Sequence, residues 1–171
     1  PFDKGFSGLL PTKSKGDTRS GEPSFLLISR LEPEKNIAYV IDIFRHLSFK
    51  LRVVGSGSQL KSLSDRASSN IKFLGFVQDA DLVKEVLRCT AVIFPSDLEY
   101  SLVPIEANAL GRPVVAYNSA AARELLIDVN SDSEFGSAVF YDSFDKSDLE
   151  SALNKATKSD WKPENIKLNA N

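Results

Sequence analysis

Four side chains carry most of the chemistry that the spacing of this sequence suggests. Arg30 and Lys35 stand five positions apart in Ser29-Arg-Leu-Glu-Pro-Glu-Lys35, and Glu99 and Glu106 have six residues between them in Glu99-Tyr-Ser-Leu-Val-Pro-Ile-Glu106. A guanidinium offers a fork of donors and an ammonium a mobile point charge, so the first pair can clamp a diphosphate. Ionised carboxylates only accept hydrogen bonds, so the second pair suits a hydroxyl-rich ligand. Phosphate and hydroxyls together describe a sugar nucleotide. The plainer reading of the basic pair is a solvated Lys35 and an Arg30 paired with Glu32 or Glu34.

These residues need elements to place them. Residues 24–29 form a continuous apolar run suited to a central parallel strand, and residues 51–55, 71–77, 91–94, 113–117 and 137–141 read as further strands. Between them, Ile37, Val40, Ile41, Phe44 and Leu47 recur at helical spacing, residues 60–68 make a weaker helix, and Asp79 is placed to N-cap a helix through Leu87. A short helix over about 102–110 follows the 91–94 strand, with Gly111 as its stop. Residues 124–126 and 149–156 mark two more helices. Strands alternating with helices along the whole chain predict an α/β fold, a doubly wound, Rossmann-like parallel sheet. Ligands in such sheets sit in the loops at the carboxyl ends of strands, which is where both charged pairs fall.

The same edge carries weaker signals. A helix start near Leu102 and Val103 presents backbone N–H groups and a partial positive charge, which suit a phosphate. Gly55-Ser-Gly57 has Leu60 where a dinucleotide fingerprint needs its third Gly, so its plain role is a tight strand-to-helix turn. Glu106 sits on a mostly apolar helix, and a buried carboxylate needs partners. Cys89 reads as a small core hydrophobe, His46 as a helix-surface residue, Lys84 as solvated and Trp161 as a terminal packing anchor.

Composition excludes several classes. With 171 residues, 42% hydrophobic and 26% charged, the chain is an ordinary globular domain with a sizeable core. A net charge of -2 provides no general field for nucleic acid. No apolar run approaches the ~18 residues of a membrane span. A single cysteine excludes an internal disulfide, in keeping with a reducing, cytoplasmic setting, and a single histidine leaves no His-based metal site. The chain starts at Pro1 and has no Met, so it is expected to be a piece of something longer. Residues 1–23 read as a linker, 24–157 as the Rossmann-like domain, and 158–171 as a polar C-terminal tail without a final amphipathic helix.

Val103-Pro-Ile-Glu106-Ala and Gly111-Arg-Pro-Val-Val115, with Arg30-Leu-Glu-Pro-Glu-Lys35 upstream, resemble the donor site of retaining GT-B glycosyltransferases, in particular glycosyltransferase family 4 (glycosyl transferases group 1). The resemblance runs over roughly residues 24–157. It departs from the family in the six-residue spacing of Glu99 and Glu106, where seven is usual, and in Ser29 and Ser101, which stand where Gly is usual. It implies one half of a GT-B fold, the C-terminal domain, and metal-independent transfer of a sugar from a nucleotide donor to an acceptor hydroxyl with retention of configuration.

Arg30 and Lys35 would hold the diphosphate and stabilise it as it leaves, and Glu99 would touch the transferred sugar. Glu106 would bind the ribose, with the Leu102 and Val103 N–H groups on the diphosphate. Gly55 would lie in a turn beside the donor site, and Asp79 near the nucleobase, unless it is only an N-cap. No cofactor is implied beyond the nucleotide-sugar, whose base is open. The acceptor, a glycan or glycolipid, would be held by a missing N-terminal domain, through which any peripheral membrane contact would also be made. The isolated fragment is expected to be inactive. Alternatives are a non-catalytic or regulatory nucleotide-sugar-binding module, and a domain of a GT-B sugar-nucleotide epimerase or phosphorylase-like enzyme. A receiver domain would need Asp at the end of the third strand, where Phe76 and Val77 stand.

Overall fold

β1 (Ser24–Ile28) leaves Phe25, Leu26 and Leu27 wholly inaccessible. Side chains alternate across a strand, so Phe25 and Leu27 join one apolar layer while Leu26 joins the other. A strand buried on both faces cannot show polar alternation, which is why it reads as an unbroken apolar run. The computed structural model of the chain describes residues 22–97 and 101–170.

The remaining elements alternate around β1. In order they are α1 (Ile37–Phe44), β2 (Lys50–Val54), α2 (Leu60–Arg66), β3 (Ile71–Gly75), α3 (Asp79–Arg88), β4 (Ala91–Phe94), α4 (Val103–Ala109), β5 (Val114–Tyr117), α5 (Ala120–Leu125), β6 (Ala138–Tyr141), α6 (Lys146–Lys158) and α7 (Pro163–Leu168). The six strands form one sheet in the order β3-β2-β1-β4-β5-β6, and every described pairing is parallel. α1, α2, α6 and α7 supply the layer that holds Phe25, while α3, α4 and α5 supply the layer that holds Leu26. This is the doubly wound, Rossmann-like sheet expected from the alternation. Its order reverses between β1 and β4, so the chain leaves those two neighbours toward opposite faces.

The structure moves several predicted boundaries. α1 stops at Phe44 rather than running to Leu47, because Asn70 Nδ2 donates to the Phe44, Leu47 and Phe49 carbonyls at 2.9, 3.0 and 2.8 Å. That amide comes from the turn before β3 and takes over acceptors that another helical turn would need. Asp79 is not an N-cap: Gln78 occupies that position, and Asp79 is the first helical residue, where its charge suits the helix dipole. α5 begins at Ala120, because Ser119 Oγ accepts from Ala122 N at 3.1 Å.

The segment read as a polar tail contains α7. Its only fully buried side chain is Ile166, which leaves no periodicity to read. Tertiary contacts hold it: Trp161 Nε1 donates to the Ala156 carbonyl at 2.7 Å, and Asn165 and Asn169 donate to the Glu134 and Phe135 carbonyls, each at 2.9 Å. α7 docks against α4 at the Gly111 turn. Cys89 is buried as expected, and burial pushes its thiol up to about 12, which keeps it unreactive. His46 is exposed, and Lys84 pairs with Asp81 in solvent.

Candidate functional site

A crevice opens where the chains leaving β1 and β4 diverge, the place where doubly wound sheets bind ligands. It is a cleft of about 480 Å³ lined by the loops that follow β1, β2, β3 and β4. From β1 come Ser29, Arg30 and Lys35. Gly55 and Ser56 come from β2, Phe76, Val77 and Asp79 from β3, and Pro95, Ser96, Ser101 and Val103 from β4.

The loop after β1 is held on three sides. Pro33 starts a short 3-10 turn that ends in Lys35, whose N–H donates to the Glu32 carbonyl at 3.1 Å. Asn36 follows in the left-handed conformation with φ 56°, which Asn tolerates better than most residues, and its Nδ2 donates to the Pro95 carbonyl at 3.1 Å. This bond ties the residue after Lys35 to the loop after β4. On the other side, Leu31 N donates to Ser56 O at 2.9 Å and Gln59 N to Leu31 O at 3.0 Å. Such backbone approach is possible because residues 55 and 57 are glycines: a Cβ would lie 1.8 Å from Ser29 O at Gly55 and 2.4 Å from Leu31 O at Gly57. The Gly-Ser-Gly turn thus positions the loop that bears Arg30 and Lys35.

The two cations that sequence spacing treats alike have different environments. Lys35 is only 8% exposed, whereas the Arg30 side chain is 67% exposed and stands 3.9 Å from Glu34. An ion pair that long and that wet contributes little. Glu32 accepts from Ser58 N at 3.0 Å and from Ser58 Oγ. Those hydrogen bonds, with the Arg30 charge adding to them, hold its carboxyl below the usual range. Arg30 therefore stands at the mouth of the cleft and Lys35 in its wall.

On the opposite side α4 begins at Val103, whose N–H donates to Ser101 Oγ at 3.3 Å. Pro104 follows and has no N–H to offer. Leu102 is exposed and is not among the residues that line the cleft. Glu106 lies one turn into α4, half-buried, outside the cleft lining and with no hydrogen bond to its carboxylate among the described residues. Glu99 lies outside the described residues.

Burial pushes the Glu106 carboxyl above its ordinary value, and the Asp79 charge adds to the effect. The folded state therefore holds the Glu106 proton more tightly than the unfolded chain does. Its contribution to stability falls as pH rises from the ordinary value of 4.5 through the raised folded value, and the cost is complete above that. Glu106→Gln is accordingly expected to raise the apo melting temperature at pH 7 and to flatten the stability profile above pH 4.5, as read by thermal melts across pH.

Phe76 is a lining residue that sequence reasoning missed. β3 ends at Gly75, so Phe76 projects beyond the sheet with 83% of its surface exposed, at the rim of the cleft. The available signal was an aromatic directly after a strand-ending glycine. It was hidden by reading the strand as continuing to Val77. An exposed ring and a buried lysine on one cleft offer a stacking face and a positive charge to the same ligand.

The family model described as "Glycosyl transferases group 1" matches residues 11–171. A glycogen synthase from Mycobacterium tuberculosis is 30% identical over 120 residues, which cover 64% of this chain and 29% of that protein. Among solved structures, the apo form of the lipopolysaccharide outer core galactosyltransferase WaaB superposes with a TM-score of 0.75 at 17% identity, covering 90% of this chain and 46% of the other. Anabaena HepE in complex with UDP-glucose superposes with a TM-score of 0.70 at 24% identity, covering 87% of this chain and 43% of the other. The chain spans about a third of the length of the curated relatives it matches.

Proposed function

Because this chain belongs to the glycosyl transferases group 1 family, we propose that it is the donor-binding domain of a retaining, metal-independent glycosyltransferase that moves a hexosyl group from a nucleotide-sugar to an acceptor hydroxyl. The observation that carries the proposal is Lys35, a charged side chain 8% exposed in the wall of a switch-point cleft that also displays Phe76. A desolvated ammonium is strongly attractive to an anion, and an open aromatic face is attractive to a base. A nucleoside diphosphate carries both. The UDP-glucose bound to HepE on the same fold belongs to that chemical class.

In this reading the diphosphate lies between the β1 and β4 loops. Lys35 and Arg30 meet the charge that grows on it as the glycosidic bond breaks, with the Leu102 and Val103 N–H groups as backbone donors. Cation clamps placed where charge develops lower the barrier more than they tighten the ground state. Glu106 binds the ribose hydroxyls, which would supply the partners that its carboxylate lacks among the described residues. Asp79 borders the base beside Phe76, and Glu99 meets the transferred sugar. Gly55 acts indirectly, by letting the β1 loop reach its place.

The acceptor, a glycan or glycolipid, is assigned to an N-terminal domain, to which residues 1–23 lead. Residues 24–168 form the donor domain, since α7 packs into the same core, and the chain on its own binds donor without transferring sugar. The setting is cytoplasmic, with any membrane contact peripheral. No helix among the described residues is long and apolar enough to cross a membrane.

Calorimetric titration of this chain with UDP, GDP, ADP and their glucose conjugates tests the reading. One diphosphate series is expected to bind, and Phe76→Ala to weaken it about tenfold through the loss of base stacking. Absence of binding by every nucleotide, or an unchanged affinity in Phe76→Ala, would overturn this placement of the donor.

A further inference from the structure

Ser96 stands two residues beyond the end of β4, and only 6% of its surface is exposed. Its Oγ is buried without a hydrogen-bond partner. Among the described residues, it is the one buried side-chain polar atom without a partner whose residue also lines the cleft. Buried hydroxyls nearly always find a partner, because leaving one unmade forfeits the hydrogen bonds that water would have supplied. Ser96 lines the cleft, so this unsatisfied hydroxyl is accounted for if a turn about its χ1 bond lets a bound ligand complete it.

The surroundings say what kind of atom that is. The Asn36 amide binds the Pro95 carbonyl at 3.1 Å, so the residue after Lys35 is fastened to the residue before Ser96. Lys35 and Ser96 therefore flank one rigid link across the crevice, one bringing an ammonium and the other a hydroxyl. Lys35 can only donate, and a hydroxyl beside it adds a second donor to any anion that it holds. Strand β4 and the Asn36 link hold Pro95, the residue before Ser96.

We propose that the Ser96 hydroxyl donates to an anionic oxygen of the donor's diphosphate, sharing the anion with Lys35. The inference rests on the donor-site reading above and adds a binding residue to it. The contact is made by the diphosphate alone and needs no sugar.

Ser96→Ala, compared with wild type against UDP, GDP, ADP and their glucose conjugates, tests it. The expected result is an affinity loss of about tenfold, the scale of one hydrogen bond to a charged acceptor. The loss should be equal for the free diphosphate and its sugar conjugate. The apo melting temperature is expected to hold or rise, since the removed hydroxyl makes no bond in the empty site. Wild-type binding with undiminished affinity in Ser96→Ala overturns this inference and leaves the donor site standing. A loss confined to the sugar conjugates overturns the diphosphate assignment, and a marked fall in apo stability assigns Ser96 a structural role instead. If wild type binds no nucleotide, the donor-site reading fails and this inference fails with it.

Discussion

Lys35→Ala is expected to weaken binding of the nucleoside diphosphate by roughly 100-fold or more, the scale of removing one member of a buried charge pair. At 8% exposure the residue is largely shielded from bulk solvent, so salt screens its attraction to an incoming diphosphate little. The 3-10 turn and the Asn36–Pro95 link set its position before the ligand arrives, so little is lost in ordering it. Arg30→Ala makes the contrast: with a side chain 67% exposed, Arg30 is expected to matter several-fold less, and its effect to shrink as salt is raised. Lys35→Arg should not restore affinity, because a planar guanidinium does not fit a wall shaped around an ammonium. Titrations at low and at physiological ionic strength measure both residues. Equal losses for Lys35→Ala and Arg30→Ala, with equal salt dependence, would refute the assignment of different depths.

Gly55→Ala carries the largest expected cost to the fold. The position has φ 132°, a backbone conformation that side chains rarely adopt, and its Cβ would lie 1.8 Å from the Ser29 carbonyl oxygen. Relief requires the β1 and β2 ends to move apart, but Ser29 N donates to Val54 O at 3.1 Å and Gly55 N to Gly75 O at 2.8 Å. Backbone strain and overpacking together are expected to cost about 3–5 kcal/mol. In a domain of this size that lowers Tm by on the order of 10 °C. Because the displaced strand end carries Arg30 and Lys35, whatever still folds should also lose donor affinity. Thermal melts and titration of the same variant read both effects. A Gly55→Ala chain with wild-type stability would show that the β1 and β2 ends are less tightly joined than the hydrogen bonds indicate.

Much of this protein was legible in local patterns. The apolar run at β1 and the helical spacing of Ile37, Val40, Ile41 and Phe44 depend on neighbours a few residues away, and those determine element type. Alternation of strands and helices then restricted the topology, because crossovers between parallel strands have one hand. Placement of Arg30 and Lys35 at the carboxyl edge followed from their positions just after β1.

Tertiary structure decided what depended on residues far apart in sequence. Asn70 stops α1 by reaching carbonyls more than twenty residues away, so no local signal at Phe44 could mark the end. α7 exists because Ile166 and the flanking Trp161 have a core to enter, although the segment has no apolar face of its own. Lys35 and Arg30 look equivalent as letters. One becomes part of the cleft wall and the other its rim, because Asn36 binds Pro95, a residue 59 positions on.

The sequence by itself determined the order of the elements from β1 to α6, the sheet edge at which the cleft opens, and the charges near it. The three-dimensional packing alone decided the depth of each charge, the exposure of Phe76 and the isolation of the Ser96 hydroxyl. The physical reason is one of range: propensity and periodicity act over a few residues, whereas desolvation depends on every atom within several ångströms, whatever its place in the chain.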